Sequence, residues 1–524
     1  MKQGVFKYFF ILAFIILLII TYVVFYNDES ETNVIQDQTS TVSTLITDLR
    51  LGIAEFDTLN PIVSNNKNVK EISRLIFDSL ITVNSDYSLG YGLATEIAKS
   101  DNVTYLIKLR ENVKWHDGTD FTAQDVKFTI DTIKNSFPSS VYGENLQYVT
   151  GLDIVDSYTI RITLAQEVEF FEYNLTFPIL SNNYFANEDF ANTAKNNTII
   201  GTGMFKVSEK TDNTIKLLKN EEYWDDGKDS LITEININLY SNIGEVYTAF
   251  KSGYIDIMDI NVNNVEEYVG SLGYSKIDYD DRNVDFLAFN TQSENVSEPA
   301  VRKAISLLLD KNNIIANLGS GYASTNFLLS SNNWMYDSRL DVSYNSEEAT
   351  NLLTGAGWTY TNNTWNKEGR TLSFSIVVDT NNSVRVTAAR LIAQQLANSG
   401  IQVYVNEVST SSYNNYLSNK NYDAILTGIT TGYSPKLSTL FIGDNLANYS
   451  NETVNDILGN AKNINDYNTL REEYLKVYNQ IINDVPYIFL YRETDSVIYN
   501  QSLCGTINPN AYSIFYNIDK WYRQ

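Results

Sequence analysis

His116 is the only histidine in the chain, and it stands in KWHDGTDFTAQDV, Lys114 to Val126, between a tryptophan and an aspartate. An imidazole in such company is suited to moving protons near neutral pH. A Cys–His relay or a histidine-rich metal site would need a second such group, and the one cysteine, Cys504, lies far along the chain. One histidine and one cysteine also exclude an H-E-x-x-H helix, a Cys-based metal cluster and an intramolecular disulfide. GTGMFK, residues 201–206, lacks the third glycine of G-x-G-x-x-G and the G-K-[ST] of a Walker loop, so no phosphate loop is read there. Among 63 carboxylates no pair is singled out by spacing, and an extracellular carboxylate-dependent hydrolase therefore stays as the alternative from the enzyme class.

The elements around His116 favour a structural role. Tyr105, Ile107 and Leu109 alternate with Thr104, Lys108 and Arg110, the period of a strand with one buried face. Asp117-Gly118 reads as a tight turn. Thr122 and Asp125 form a T-x-x-D capping box whose threonine oxygen and carboxylate satisfy orphan N–H groups. Val126, Ile130 and Ile133 follow on one helix face. His116 is thus predicted to be a turn residue and dispensable for activity.

At roughly 150 residues per domain, 524 residues exceed one ordinary core and suggest two to four lobes. The chain is 43% apolar with 37 tyrosines and 24 phenylalanines, enough to pack a folded body. A formal charge of −25, from 63 acidic and 38 basic residues, opposes binding to nucleic acid or anionic lipid surfaces. Tyr8 to Tyr26, YFFILAFIILLIITYVVFY, is uncharged and close to the ~20 residues that cross a hydrocarbon core. Lys2 and Lys7 precede it while Asp28, Glu29 and Glu31 follow, which places the body on the extracytoplasmic side of the cell membrane. With neither a small-x-small site nor a lipid-acceptor cysteine at its end, 1–26 is predicted to remain a single N-terminal transmembrane anchor, with 27–44 as a polar stalk. The globular part is predicted to start near Leu45.

Seven prolines and no repeat of 20 to 50 residues argue for one interwoven body. Strands are predicted at Thr214 to Leu218, Glu234 to Leu239 and Ile401 to Val405. Helices are predicted at Glu245 to Lys251, from Pro299 with Val301, Ala304, Ile305, Leu308 and Leu309 inward, and at Ala388 to Ser399 ending on Gly400. Asn381-Asn382 and Asn414-Asn415 read as loops. The mixture means α/β lobes with mixed sheets.

Certain segments follow one another along the chain: Leu59-Asn60-Pro61, LIFDSLITVNSDYSL (75–89), KLRENVKWHDGTDFTAQDVKFTI (108–130), IGTGMFKV (200–207), Asn220 with Tyr223-Trp224, KSGYID (251–256), VRKAISLLLDKNNII (301–315), YNSEEATNLLTGAGW (344–358), Gly400-Ile401, Tyr422-Asp423 and PYIFLY (486–491). In this order they resemble the peptide, dipeptide and nickel class of extracellular solute-binding proteins that feed ABC importers, family 5. The resemblance implies an α/β, two-lobed periplasmic-binding-protein-like clamp with mixed sheets, a two-strand hinge and an extra subdomain. Lobe I would be built from 45–68, 195–280 and 485–524, the extra subdomain from 69–194, and lobe III from 281–484, with hinge strands near 281–290 and 484–491. It further implies no covalent chemistry, an ABC permease as membrane partner, and a peptide or similar oligomeric solute as ligand, with a glycan or other non-peptide solute as the alternative. A monomer is expected.

By the family's pocket segments, ligand contacts are expected from Asn65, from Tyr142 in FPSSVYG, from Arg385 in NNSVR, from the loop Gly428, Ile429, Thr430, Thr431, Gly432, Tyr433 running on to Pro435, and from Tyr491 on the hinge. Aromatic rings at a clamp edge offer large contact area at low entropy cost. No cofactor is expected, and one histidine with four methionines gives nickel little support. Peptide-binding members carry an aspartate for the substrate α-amine in the 422–441 segment, with a tryptophan ahead of it. Those positions fall here on Gly432 and Ile429. A buried ammonium without a partner is strongly penalised, so the ligand is expected to lack a free α-amine there or to be held in another register.

Overall fold

The computed structural model describes residues 46–135, 140–260, 273–464 and 466–524. The predicted anchor, stalk and start of the globular part fall outside these residues. Among the described residues no helix is long and apolar enough to cross a membrane.

The strand Tyr274–Phe289 is the backbone of the molecule. Its apolar end alternates, so that Phe286 and Ala288 enter one core while Leu287 and Phe289 enter another on the opposite face. It pairs antiparallel with Tyr487–Asn500 from Tyr274↔Asn500 to Ala288↔Tyr487, with register breaks between Asp280 and Val284 and between Asp285 and Phe286. On its other edge it takes Ala424–Thr430, and the sheet continues through Ser373–Asp379 to Gln402–Val408, both joined in parallel. Helices Pro299–Leu307 and Ser383–Asn398 cover one face, and Glu452–Ala461 with Tyr467–Asp484 covers the other. Burying both faces explains the continuous apolar runs in these strands.

Most of the remaining described segments share a different core, which runs from Leu49 to Ile257 and returns through Val497 to Trp521, with two small clusters beside it around Phe250 and Tyr512. Asp48–Ala54 pairs in parallel with Glu234–Tyr240, followed by Thr214–Lys219 and Phe205–Lys210 in antiparallel order. A second four-stranded antiparallel sheet, Ala94–Asp101, Thr104–Leu109, Thr159–Leu164 and Val149–Asp156, packs with helix Ala123–Asn135 into this same core. Chain segments late in sequence close it: Trp521 is fully buried, and Arg523 donates to the Asp48 carbonyl at 2.8 Å.

The motif around His116 folds as read, with one arm of its cap altered. Gly118 takes φ +84° in the turn, and the Thr122 N–H donates to Asp125 Oδ2 at 2.8 Å. The Asp125 N–H goes to the threonine carbonyl, not its hydroxyl, which is turned to Asp125 Oδ2 at 3.4 Å, while Oδ1 of the buried Asp125 accepts the Asn182 N–H at 2.8 Å. His116 itself bridges to the GTG segment. Its Nδ1 accepts from the Gly201 N–H at 3.1 Å and its Nε2 lies 2.9 Å from the Gly203 carbonyl, which requires the neutral tautomer protonated on Nε2. Burial pushes its pKa down to about 4. Gly201 and Gly203 press against the end of helix Lys67–Ile76, where a Cβ on Gly201 would lie 1.8 Å from the Ile76 carbonyl oxygen. Two residues on, Asp78 accepts from Thr202, Tyr223 and Trp224 at 2.9, 3.1 and 2.8 Å. Four of the segments that carry the resemblance therefore meet at one structural junction.

Two local readings are corrected. The helix expected from Ala388 begins at Ser383, capped by Asn382, because Val386 adds a buried turn ahead of the alanines. Asn414 and Asn415 lie inside helix Thr410–Asn419, whose N-cap Ser409 and buried Tyr413 outweigh the weak helix propensity of asparagine.

Candidate functional site at the junction of the two sets of cores

Asn66 starts helix 67–76 by accepting from the Asn68 N–H at 2.9 Å, while its amide donates to the Ala54 and Glu55 carbonyls at 3.1 and 2.9 Å. Those bonds tie the helix start to the strand 48–54. Val69, Ile72, Leu75 and Ile76 are buried, which turns Lys67, Lys70, Glu71 and Arg74 to another face at i, i+3, i+4 and i+7.

Three tyrosines from distant parts of the chain meet that face. The Arg74 guanidinium lies 3.9 Å from the ring centre of Tyr512, and the Lys70 ammonium 5.8 Å from that of Tyr142. Tyr433 packs edge-on to Tyr512 at 5.3 Å and donates its hydroxyl to the Ala511 carbonyl at 3.1 Å. Arg282 lies 5.1 Å from the Tyr433 ring centre. Tyr433 follows the strand 424–430, and Tyr512 belongs to a small cluster with Val83, Tyr87 and Tyr173 against which Tyr433 packs, so the site joins segments from both parts of the molecule. A cavity of about 270 Å³ adjoins it, lined among others by Ser73, Arg74, Tyr142 and Tyr512.

Lys67 is neutralised by Asp259 at 2.7 Å and Asp495 at 3.1 Å. Glu71 accepts the Ile514 N–H at 3.0 Å, and burial pushes its carboxyl up despite Arg74 at 4.0 Å. Burial, together with the neighbouring Arg74 and Arg282, pushes the Lys70 amine down.

Tyr142 and Tyr433, both expected from sequence, are brought together here through Arg74 and Tyr512. Arg385, Gly428 and Tyr491 gather elsewhere, around Asp285. Arg385 pairs with Asp285 through Nε at 3.0 Å and Nη2 at 2.7 Å. Gly428 faces Asp285 across the strands, and a Cβ there would lie 2.0 Å from Asp285 Oδ1 and 2.5 Å from Arg385 Nη2. Tyr491 is buried edge-on to Tyr322 at 5.4 Å, with a hydroxyl that makes no hydrogen bond. With its charge already matched, Arg385 holds the strand arrangement.

The rest of the expected loop positions the site. Thr431 donates its N–H and its hydroxyl to the Arg282 carbonyl at 2.8 and 3.1 Å, and Thr430 donates to Asn283 Oδ1 at 2.6 Å. Ile429 packs half-buried on the neighbouring core. Gly432 is exposed, and a Cβ there would find nothing nearer than Ser434 Oγ at 3.7 Å. Asn65 is exposed in the turn before the Asn66 cap and joins neither cluster. Sequence reasoning missed Lys70, Arg74, Arg282 and Tyr512. The available signal was the row of charges at helical spacing on 67–76.

A larger cavity, about 390 Å³, lies beside helices 299–307 and 467–484 and shares no lining residue with the one at Arg74. Among the described residues no three His, Cys, Asp or Glu side chains converge to hold a metal ion.

Residues 89–449 match the sequence profile of the bacterial extracellular solute-binding proteins, family 5 middle region. The oligopeptide-binding protein AppA of Bacillus subtilis is 25% identical over 507 residues, covering 91% of each chain. Two solved structures share the fold: the murein tripeptide-binding protein MppA in its unliganded open form, with TM-score 0.77 at 18% identity, and NikZ from Campylobacter jejuni in complex with Ni(L-His), with TM-score 0.56 at 23% identity. Each covers 91% of this chain, which spans 97% and 99% of theirs. The fold is the two-lobed clamp of periplasmic binding proteins, and the chain belongs to family 5 of the bacterial extracellular solute-binding proteins.

Proposed function

We propose that this protein captures a peptide or similar oligomeric solute between its lobes and delivers it to an ABC permease, without covalent chemistry. The observation that carries the reading is the contact of Tyr433, which follows the strand 424–430, with Tyr512, whose ring lies under the Arg74 guanidinium, beside a cavity of about 270 Å³. AppA, by its name an oligopeptide-binding protein, supports a peptide.

Lobe I is assigned to 45–68, 195–280 and 485–524, the extra subdomain to 69–194 and lobe III to 281–484. Two chain crossings, within the strands 274–289 and 487–500, join the lobes, and residues 281–283 sit where the pairing of these strands is interrupted. Rotation at that break opens and closes the clamp, so a ligand acts by shifting an open–closed equilibrium. An uncleaved anchor at 1–26 holds the body, as a monomer, outside the membrane near the permease.

Native mass spectrometry of the full-length chain, extracted in mild detergent, tests the reading. A co-purified peptide mass, released on mild unfolding, is the expected result. A chain that is always empty and gains no thermal stability from a short-peptide library would refute it.

A further inference from the structure

The cavity of about 390 Å³ lies away from the cleft and takes no part in the solute reading. Its walls come from the cores on both faces of the central sheet: Leu307 and Val485 from one, Phe327, Leu340, Ile481 and Phe489 from the other. A concave, mostly apolar space with a few polar groups is the usual form of a small-molecule site, and this one falls within the common range of size.

Two amines enter this apolar setting. Lys311 begins the helix Lys311–Leu318, and its ammonium donates to the Thr325 carbonyl at 3.1 Å and to Asn326 Oδ1 at 2.6 Å. Lys303, on helix 299–307, donates to Asn483 Oδ1 at 3.0 Å. All three acceptors are neutral, and among the described residues neither lysine forms an ion pair. An ammonium has three donors, so one N–H of Lys311 is left without a described acceptor.

The other charged groups lining the cavity are exposed and engaged elsewhere. Arg339 pairs with Asp337 at 2.8 Å, Glu348 accepts from the Asn345 amide at 3.1 Å, and Asp341 accepts from the Tyr336 hydroxyl and from the Asn326 amide at 3.3 Å. Asn326 therefore stands between Asp341 and Lys311, taking the ammonium on its oxygen and serving the acid with its nitrogen. Asp341 offsets only part of the cost of burial, which pushes the Lys311 amine down to about 7. A buried amine held by neutral acceptors gains a charge-assisted hydrogen bond when a carboxylate approaches, and that carboxylate favours its charged form. An apolar body on the same molecule releases water from the walls.

We propose that this cavity is a second ligand site, separate from the cleft, for a small carboxylic acid with an apolar body, its carboxylate received by Lys311 and Lys303 and its body lying on Phe327, Leu340 and Ile481. A medium-chain acid and an arylalkyl acid present the same chemistry. The site stands whether or not the cleft takes a peptide.

Calorimetry on the full-length chain in amphipol, with titrations into amphipol alone subtracted, tests the proposal. The probes are octanoate and octanamide, 4-phenylbutyrate and 4-phenylbutanamide, and acetate as a carboxylate without a body. At least one of the two larger acids is expected to bind about tenfold tighter than its amide. Acetate is expected to bind more than about a hundredfold more weakly than that acid, since each buried methylene contributes about fourfold. Lys311→Gln is expected to keep the wild-type Tm and the affinity for the amide while losing the preference for the acid. Should its melting temperature fall, Lys303→Gln carries the same comparison. Equal affinity of acid and amide in both pairs, acetate binding as tightly as the larger acids, or a preference that survives both substitutions overturns the proposal, and so does an absence of binding by either larger acid.

Discussion

Replacing His116 with alanine strips two partners from the seam between the 114–126 turn and the GTG segment. The Gly201 N–H loses its acceptor, and the Gly203 carbonyl loses the Nε2 proton and keeps only the Asn220 amide at 3.3 Å. At about 1–3 kcal/mol for the N–H left unpaired, and a smaller share for the carbonyl that keeps one donor, the loss near pH 7.5 is about 3 kcal/mol. The same ring predicts how that loss varies with pH. Its pKa in the folded protein is about 4, below the ordinary 6.5, so the unfolded chain binds the proton first on acidification. The histidine's contribution is complete above pH 6.5 and declines as pH falls toward 4, by up to about 3 kcal/mol at 1.36 kcal/mol per unit. The variant has no such slope, so the wild-type advantage should shrink from about 3 kcal/mol at pH 7.5 to near zero at pH 4. Guanidinium unfolding followed by tryptophan fluorescence, with Trp115 as neighbour, measures the difference at each pH. Carboxylates common to both chains cancel in the subtraction. A difference below about 0.5 kcal/mol, or one that does not change with pH, would refute the bridging role.

Gly201→Ala is expected to give little soluble folded protein, since its Cβ meets the backbone oxygen of Ile76; a circular-dichroism melt within a few degrees of wild type would contradict the close approach. Arg385→Ala leaves the half-buried Asp285 unpaired and should cost about 3 kcal/mol, much of it recovered by adding Asp285→Asn, and equal melting temperatures for single and double variants would show that the pair holds nothing. Gly432→Asp fits open space and should keep stability while raising affinity for free-amine over N-acetylated peptides, and titration of both series on the variant checks it. The anchor reading expects the mature protein to begin before residue 25; N-terminal sequencing of membrane fractions that finds a start between 25 and 45 ends it.

The turn and helix after His116 were legible because their residues are kept in line by local rules. A turn glycine, a capping acid and an apolar helix face can each be read within a dozen positions, and so Gly118, Asp125, Val126 and Ile130 land as expected while the Thr122 hydroxyl does not. Tyr142 and Tyr433 could be named from the order of segments, but not their meeting through Arg74 and Tyr512, which brings together residues far apart in sequence. Nor does sequence spacing say that Asp285 lies opposite Gly428, and so Arg385 looked free for a ligand when it is matched inside the protein. Lys70 and Arg282 escaped for a related reason: their stacking on Tyr142 and Tyr433 joins residues far apart in sequence.

Closure of the first core by residues 497–521 has a consequence for the order in which the molecule can be assembled during synthesis. The run from Val284 to Tyr491 is continuous in sequence and contains both cores of its lobe, so it can collapse while the chain is still growing. The segments made first cannot complete theirs, because Trp521 and Arg523 must come back to seal the edge beside Asp48. Until then the newly made N-terminal sheet waits with apolar surface uncovered, and chaperone binding should concentrate on it rather than on the half translated later.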